Sequence, residues 1–442
     1  MDRRYTRRPY EQSRSSRGGA LIFGIGLGAM LMTAAIFAAL LVPGINRRVE
    51  NLPFYAQTYY RKLFPHPEYL PTPAPTVSAA GVGGGALNQP VTLDLPPVGG
   101  NTPPTTSQSD DAIPAAVNVP PPPANDPAPL VNLQPIASKV QLAGFTHQWQ
   151  TWNNCGPATV TMNMSYFDRP ETQVDAARFL KPNKNDKNVS PEELAAYART
   201  TGLEALVRHG GSISQLKQFL TNGLPVLAET WLIHDGDGLG HYRLLTGYND
   251  DANQFTTFDS LSGPDLPVDY AQFDADWRVF NRVYVVIYPA ERADTVAAII
   301  GPDMNDIHLD ERLASDAQAE IEADPTDAIA FFNQGDALTR LGRFEQATAA
   351  FDQSRRLGLH WRRLWYQFTP FEAYYAAGRY QDVIDLAEAT ISGTGGLEEA
   401  YYYLGLARLA TGQSGAKEAF QAAVDYNANF RPAQEALAKL TP

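Results

Sequence analysis

The sequence predicts an α+β domain over residues 139–292, an all-α repeat domain over 305–442 and, ahead of both, a transmembrane helix and a proline-rich linker. Three observations lead to this. Helical patterns come first and strand patterns after in the middle of the chain, as in α+β rather than βαβ folds. Near the end, glycine-marked turns at Gly342, Gly378 and Gly412 recur 36 and 34 residues apart. Residues 20–42 form one apolar run without a charge.

Taken in order, the chain opens with a basic tail over residues 1–19 carrying Arg3, Arg4, Arg7, Arg8, Arg14 and Arg17. The apolar run Ala20–Val42 is 23 residues long; at about 1.5 Å per residue it spans a hydrocarbon core of about 30 Å with some tilt. A cleaved signal peptide is the competing reading, but its apolar region runs only about 7–15 residues. The positive-inside rule places the arginine tail in the cytoplasm and the rest of the chain outside the cell membrane, held by a single pass.

Residues 43–138 read as a juxtamembrane stretch and a disordered linker. Between Pro65 and Ser138 lie 18 of the 34 prolines, with Pro120–Pro123 in a row and a glycine cluster at Gly83–Gly85. No apolar period runs through them, so little surface is available to offset the entropy of ordering. A spacer is the expectation.

In the α+β region, Cys155–Tyr166 shows apolar residues at helical spacing, with Pro157 in the first turn. Ser190-Pro191-Glu192-Glu193 has the form of a capping box and starts a helix that runs to Gly202. A short helix over Ser214–Leu220 follows. Strand-like runs occupy Pro225–Ile233, His241–Tyr248, Gln254–Phe258 and Arg282–Tyr288. In the last third, Gly335, Leu338, Gly342, Phe344, Ala347 and Phe351 resemble the tetratricopeptide pattern. Weaker copies centre on Tyr374–Val383 and Gly405–Phe420, and three repeats are about the minimum for a stable solenoid. Such a domain offers a surface for a protein partner or a peptide substrate; a plain helical bundle packed on its neighbour is the alternative.

Composition narrows the function. The net charge of −13 falls unevenly: residues 1–62 sum to +7, leaving −20 on the remainder. An acidic body argues against nucleic acid as a partner. The single cysteine excludes an intrachain disulfide. That cysteine, Cys155, lies in Asn153-Asn154-Cys155-Gly156-Pro157, at the start of a helix whose dipole favours a thiolate nucleophile. His241, which opens a strand after Gly238-Leu239-Gly240, is placed to pair with it and protonate a leaving amine. Asp259, 18 residues on, is the group that would fix the imidazole, with Asn249 as a fallback. Gln150 would donate an amide hydrogen to the oxyanion. His147 and His209 have no ligand-spaced partners. His234-Asp235-Gly236-Asp237-Gly238 lacks the terminal glutamate of a calcium loop. No metal and no cofactor are expected.

Gln150, Asn154–Ala158, Gly240–Tyr242, Gly247-Tyr248 and Asp259 together resemble the C39-like peptidases of the papain-like superfamily. The resemblance covers about a third of the chain and implies a papain-like fold with Cys155, His241 and Asp259 as the catalytic set. In that superfamily the oxyanion glutamine commonly lies six residues before the cysteine. Gln150 lies five before and Gln148 seven, so both remain candidates. Family members that process bacteriocin leaders are joined to an ABC transporter; none is present here. The expected function is a membrane-anchored, outward-facing cysteine peptidase acting on peptides or proteins. The alternative is an inactive papain-like and repeat scaffold that binds peptides without cutting them.

Overall fold

A computed structural model describes residues 68–73, 132–183, 186–233 and 238–440. The basic tail, the expected transmembrane helix at 20–42, most of the expected linker and residues 234–237 lie outside the described residues. Among the described residues, no helix is long and apolar enough to cross a membrane.

The mixed domain runs through β1 (Lys139–Gln141), α1 (Cys155–Ser165), α2 (Gln173–Leu180), α3 (Pro191–Thr200), β2 (Glu204–Arg208), α4 (Ile213–Thr221), β3 (Val226–Ile233), β4 (Leu239–Asn249), β5 (Gln254–Asp259), β6 (Gly263–Asp269), α5 (Tyr270–Arg278), β7 (Tyr284–Tyr288) and α6 (Ala293–Ile300). The strands form one sheet in the order β2-β7-β3-β4-β5-β6, with β1 also paired to β4. Every ladder is antiparallel.

Both faces of the sheet are covered. Leu227, Leu244, Val285 and Ile287 meet Val160, Met164 and Leu194 from α1 and α3. On the other face Val226, Leu245, Phe255 and Val286 meet Phe219, Trp277, Val296 and Ile300 from α4, α5 and α6. A strand buried on both faces has no polar side to alternate with, and all five residues of β7 are buried. α6 belongs to this core, so the domain extends past the expected boundary at 292.

The simple order of helices before strands does not hold, because β2 lies between α3 and α4 and α5 precedes β7. Two helices carry caps that the sequence reading passed over. Thr172 and Asp175 make a capping box for α2, and the Asp269 carboxylate accepts from Ala271 and Gln272 N–H at the start of α5. β6 holds Pro264 and Pro267, which an edge strand tolerates and a central strand does not.

The C-terminal region is a large all-helical array: α7 (Asp306–Ala323), α8 (Ala328–Arg340), α9 (Phe344–Arg356), a 3-10 turn over Trp361–Trp365, α10 (Thr369–Ala376), α11 (Tyr380–Thr394), α12 (Glu398–Ala410), α13 (Ala416–Tyr426) and α14 (Arg431–Leu440). The turns at Gly342, Gly378 and Gly412 have φ of +69°, +71° and +67°, the left-handed region that glycine enters without a Cβ penalty. Gly335 lies against the Phe351 ring, and Gly405 against Phe420, so close that a Cβ at either would sit 2.6 Å from ring carbon. One helical hairpin is therefore built twice with the same close crossing.

The expected linker is not uniformly free of the folded body. Residues 132–138 are bonded to the mixed domain, through Gln134 N–H to Asn222 Oδ1 (3.0 Å) and Tyr248 Oη to the Ala137 carbonyl (2.7 Å). Residues 68–73 dock on the helical array: Leu70 N–H donates to the Leu359 carbonyl (2.9 Å) and Trp361 N–H to the Glu68 carbonyl (3.0 Å).

The two folded regions share a polar seam. Arg278 reaches Glu320 (2.9 Å) and Asp327 on the helical side. Asn281 Nδ2 donates to Asp336 Oδ2 at 2.8 Å, and Asn333 Nδ2 donates to the Arg278 carbonyl at 3.0 Å.

Candidate active site

Cys155 is the first residue of α1, and it is only partly exposed. The chain enters this helix through Asn153 in the left-handed region (φ +55°), which asparagine tolerates better than most residues. Lys181, just past α2, pins this entry: its Nζ donates to the Asn153 carbonyl (2.6 Å) and to Asn154 Oδ1 (3.1 Å). α1 itself is buried on every side from Gly156 to Met164. It is the central helix of its layer, which fixes the height of the sulfur against the sheet.

β4 brings His241 to that sulfur. Thr159 Oγ1 in α1 donates to the Tyr242 carbonyl at 3.3 Å, and Tyr242 N–H bonds the Cys155 sulfur. His241 makes a side-chain hydrogen bond to the thiol. Its Nε2 meets Asp259 Oδ1 at 3.0 Å, with both side chains only 2% exposed. The pairing of Arg243 with Asp259 across β4 and β5 sets this register. Asp259 Oδ1 also accepts from Leu261 N–H (2.8 Å) and Ser262 N–H (2.9 Å). Arg243 Nε lies 3.5 Å from Asp259 Oδ2, and the same guanidinium reaches Asp276 at 3.6 Å.

These contacts decide the charge states. Burial disfavours the Asp259 carboxylate. The His241 charge and hydrogen bond, with the two backbone N–H groups, overcome it and hold the carboxyl well below its usual range. Burial likewise disfavours the imidazolium, but Asp259 and the thiol push His241 up to about 9. Burial opposes the Cys155 thiolate; the His241 bond and charge, Tyr242 N–H and Lys181 bring the thiol below its ordinary value all the same. These shifts move the pair towards a thiolate beside an imidazolium.

The two glutamines differ in what their amides do. Gln148 is committed to structure: Nε2 donates to Thr161 Oγ1 (3.0 Å) and Oε1 accepts from Gln173 N–H (2.8 Å). Gln150 is tied by its oxygen alone, which accepts from Ser260 Oγ at 2.8 Å. Its backbone N–H donates to the Ser260 carbonyl at 2.9 Å. Ser260 thereby sets which way the amide faces, and Gln150 Nε2 makes no hydrogen bond among the described residues.

Of the other singled-out residues, Asn249 lies at the far end of β4, where it accepts from Asp251 N–H at 3.1 Å. His147 Nε2 donates to the Asp259 carbonyl at 3.0 Å and so supports the loop after β5. His209 is half-buried, and desolvation together with the nearby Arg340 pushes its pKa down to about 3. Among the described residues no group of three histidine, cysteine or acidic side chains is arranged to hold a metal. Sequence reasoning missed Lys181, Arg243 and Ser260, whose contacts carry no local pattern. It also missed Tyr366, whose hydroxyl accepts from Gly240 N–H at 3.0 Å, one residue before His241. A Cβ on Gly240 would lie 2.8 Å from the Tyr366 and Phe280 rings, so no other residue fits there.

Residues 137–285 match the model of the Peptidase_C39 like family, and this span is a C39-like peptidase domain on that match. No curated protein matches the chain. Among solved structures, the chain is similar to a protein from Bacillus anthracis described as a C39-like peptidase, at 16% identity over 34% of this chain and 98% of that one, with a TM-score of 0.30. It is similar to the peptidase domain of Streptococcus ComA, a bi-functional ABC transporter, at 17% identity over 33% and 99% of the two chains, with a TM-score of 0.27. MamA from Desulfovibrio magneticus RS-1 aligns at 20% identity over 31% of this chain and 84% of its own, with a TM-score of 0.26.

Proposed function

Proceeding from that domain, we propose that the protein is a cysteine peptidase that cleaves amide bonds in peptides or proteins through Cys155, His241 and Asp259. The observation that carries this reading is the buried His241–Asp259 pair, Nε2 to Oδ1 at 3.0 Å, whose imidazole also interacts with the Cys155 thiol. Cys155 Sγ attacks the carbonyl carbon, and the oxygen takes the electron pair as an oxyanion. Gln150 Nε2, with the unbonded N–H groups at the start of α1, meets that charge. His241, held by Asp259 through Nε2, gives the proton of its other ring nitrogen to the leaving amine. The thioester then yields to water: His241 takes one water proton, the C–S bond breaks, and the acid leaves with Cys155 restored. The partly exposed sulfur gives a substrate carbonyl access.

The apolar run at 20–42 behind six arginines supports a single-pass anchor, with the body on the outer side of the cell membrane. The helical array supplies a docking surface for a protein partner or the substrate. Turnover of a quenched-fluorescence peptide library tests the chemistry. Hydrolysis that Cys155→Ala abolishes with melting unchanged is the expected result; no hydrolysis by the wild type, or full activity in Cys155→Ala, contradicts the reading. Protease shaving of intact cells tests the orientation, the expected result being degradation of the body without lysis.

A further inference from the structure

Residues 68–73 are a short peptide seated on the helical array, against residues far along the chain. Their extended form is written into the chain: Leu70 precedes Pro71 and Thr72 precedes Pro73, and a residue before proline is pushed out of the helical region. The receiving edge is the connection after α9. His360 is itself extended, with φ −61° and ψ +132°, and an antiparallel bridge forms between Tyr69 and His360. Leu70 and Trp361 contribute the two backbone hydrogen bonds of this short ladder, and Pro71, which has no N–H, ends it.

Side chains add selectivity. Leu70 is 4% exposed and belongs to the same buried cluster as Leu359, Trp361 and Phe351. Arg355, 2% exposed, donates from Nε to the Pro71 carbonyl at 2.7 Å. Its Nη1 is held by Asp382 at 2.8 Å, so the guanidinium is fixed before any peptide arrives. Tyr69 lies over Gly358, whose φ of +90° lets the loop pass beneath the ring; the tyrosine stays 52% exposed.

We propose that this edge is a peptide-recognition site of the helical array, separate from the peptidase cleft. Its resident ligand is the chain's own Glu68–Pro73. The class it takes is an extended peptide with a leucine-sized residue directly before proline. Recognition is by strand addition: the backbone bonds and Arg355, which binds the Pro71 carbonyl, give affinity, and the Leu70 pocket gives the sequence preference. Because the resident segment belongs to the same chain, its effective concentration is on the order of millimolar, and it outcompetes a free peptide.

The test uses the full chain with Leu70→Asp, which empties the pocket and leaves every residue of the helices themselves unchanged, and a fluorescent peptide of residues 66–75. Saturable, sub-millimolar binding to Leu70→Asp is expected, with binding to the wild type weaker by about tenfold or more. The same peptide carrying Asp in place of Leu70 should not bind. In hydrogen exchange, the Trp361 amide should exchange faster in Leu70→Asp and regain protection when the peptide is added. No saturable binding to Leu70→Asp, equal binding to both proteins, or binding of the Asp-bearing peptide overturns the proposal. None of these readouts depends on peptidase activity.

Discussion

At the scale of single residues, the proposed chemistry rests on how few groups hold His241 charged. Asp259→Asn keeps an oxygen for Leu261 and Ser262 N–H but removes the charge that raises His241. The expected loss in kcat is about 10²–10⁴-fold, measured by steady-state kinetics. For the wild type, kcat/KM should rise on the acid side as Cys155 ionises, below the ordinary thiol value. It should fall as His241 loses its proton near pH 9; in Asp259→Asn that alkaline limb moves down. Gln150→Ala should lower kcat by about 10²–10³-fold, and Ser260→Ala by a smaller factor with KM nearly unchanged, whereas Gln148→Ala should lower the melting temperature and spare kcat. Cys155, His241 and Asp259 could be singled out in the sequence because each sits at a recognisable boundary: a helix start, a strand start, a strand end. Lys181 and Ser260 were not. Their contacts join residues 27–28 and 110 positions apart, and a charged or hydroxyl side chain on a loop looks the same whether or not it has such a partner.

At the scale of elements, the antiparallel sheet holds His241 and Asp259 in register, and the segment at 359–366 holds the start of β4. Tyr366→Phe keeps the ring against Gly240 and leaves its N–H without an acceptor. An unpaired buried donor costs about 1–3 kcal/mol; kcat should drop by several-fold with KM nearly unchanged, alongside slower alkylation of Cys155. In the helical array, Gly335→Ala places a methyl 2.6 Å from the Phe351 ring. Overpacking of this kind costs about 1–3 kcal/mol, readable as a lowered denaturation midpoint without loss of kcat. The repeat spacing was legible because Gly342, Gly378 and Gly412 recur with it and occupy equivalent left-handed turns. β6 was hidden by its two prolines. α1 showed only a partial stripe because, buried all round, it has no polar face to complete the pattern.

At the scale of the molecule, the peptidase domain and the helical array are joined by a seam of hydrogen-bonded charge rather than by a flexible connection. Arg278 is half-buried between Glu320 and Asp327, and Asn281 and Asn333 bond across the same seam. Scanning calorimetry should therefore show one transition for the folded body, and Arg278→Ala should split or broaden it. The seam was not legible in the sequence, since it lies between surfaces brought together only by folding. The central claim is the thiolate–imidazolium pair, and alkylation of Cys155 by iodoacetamide across pH tests it most directly. The account predicts fast labelling below the ordinary thiol value of about 8.5, and a return towards that value in His241→Ala. A wild-type thiol that titrates near 8.5, or labelling indifferent to His241→Ala, would contradict it.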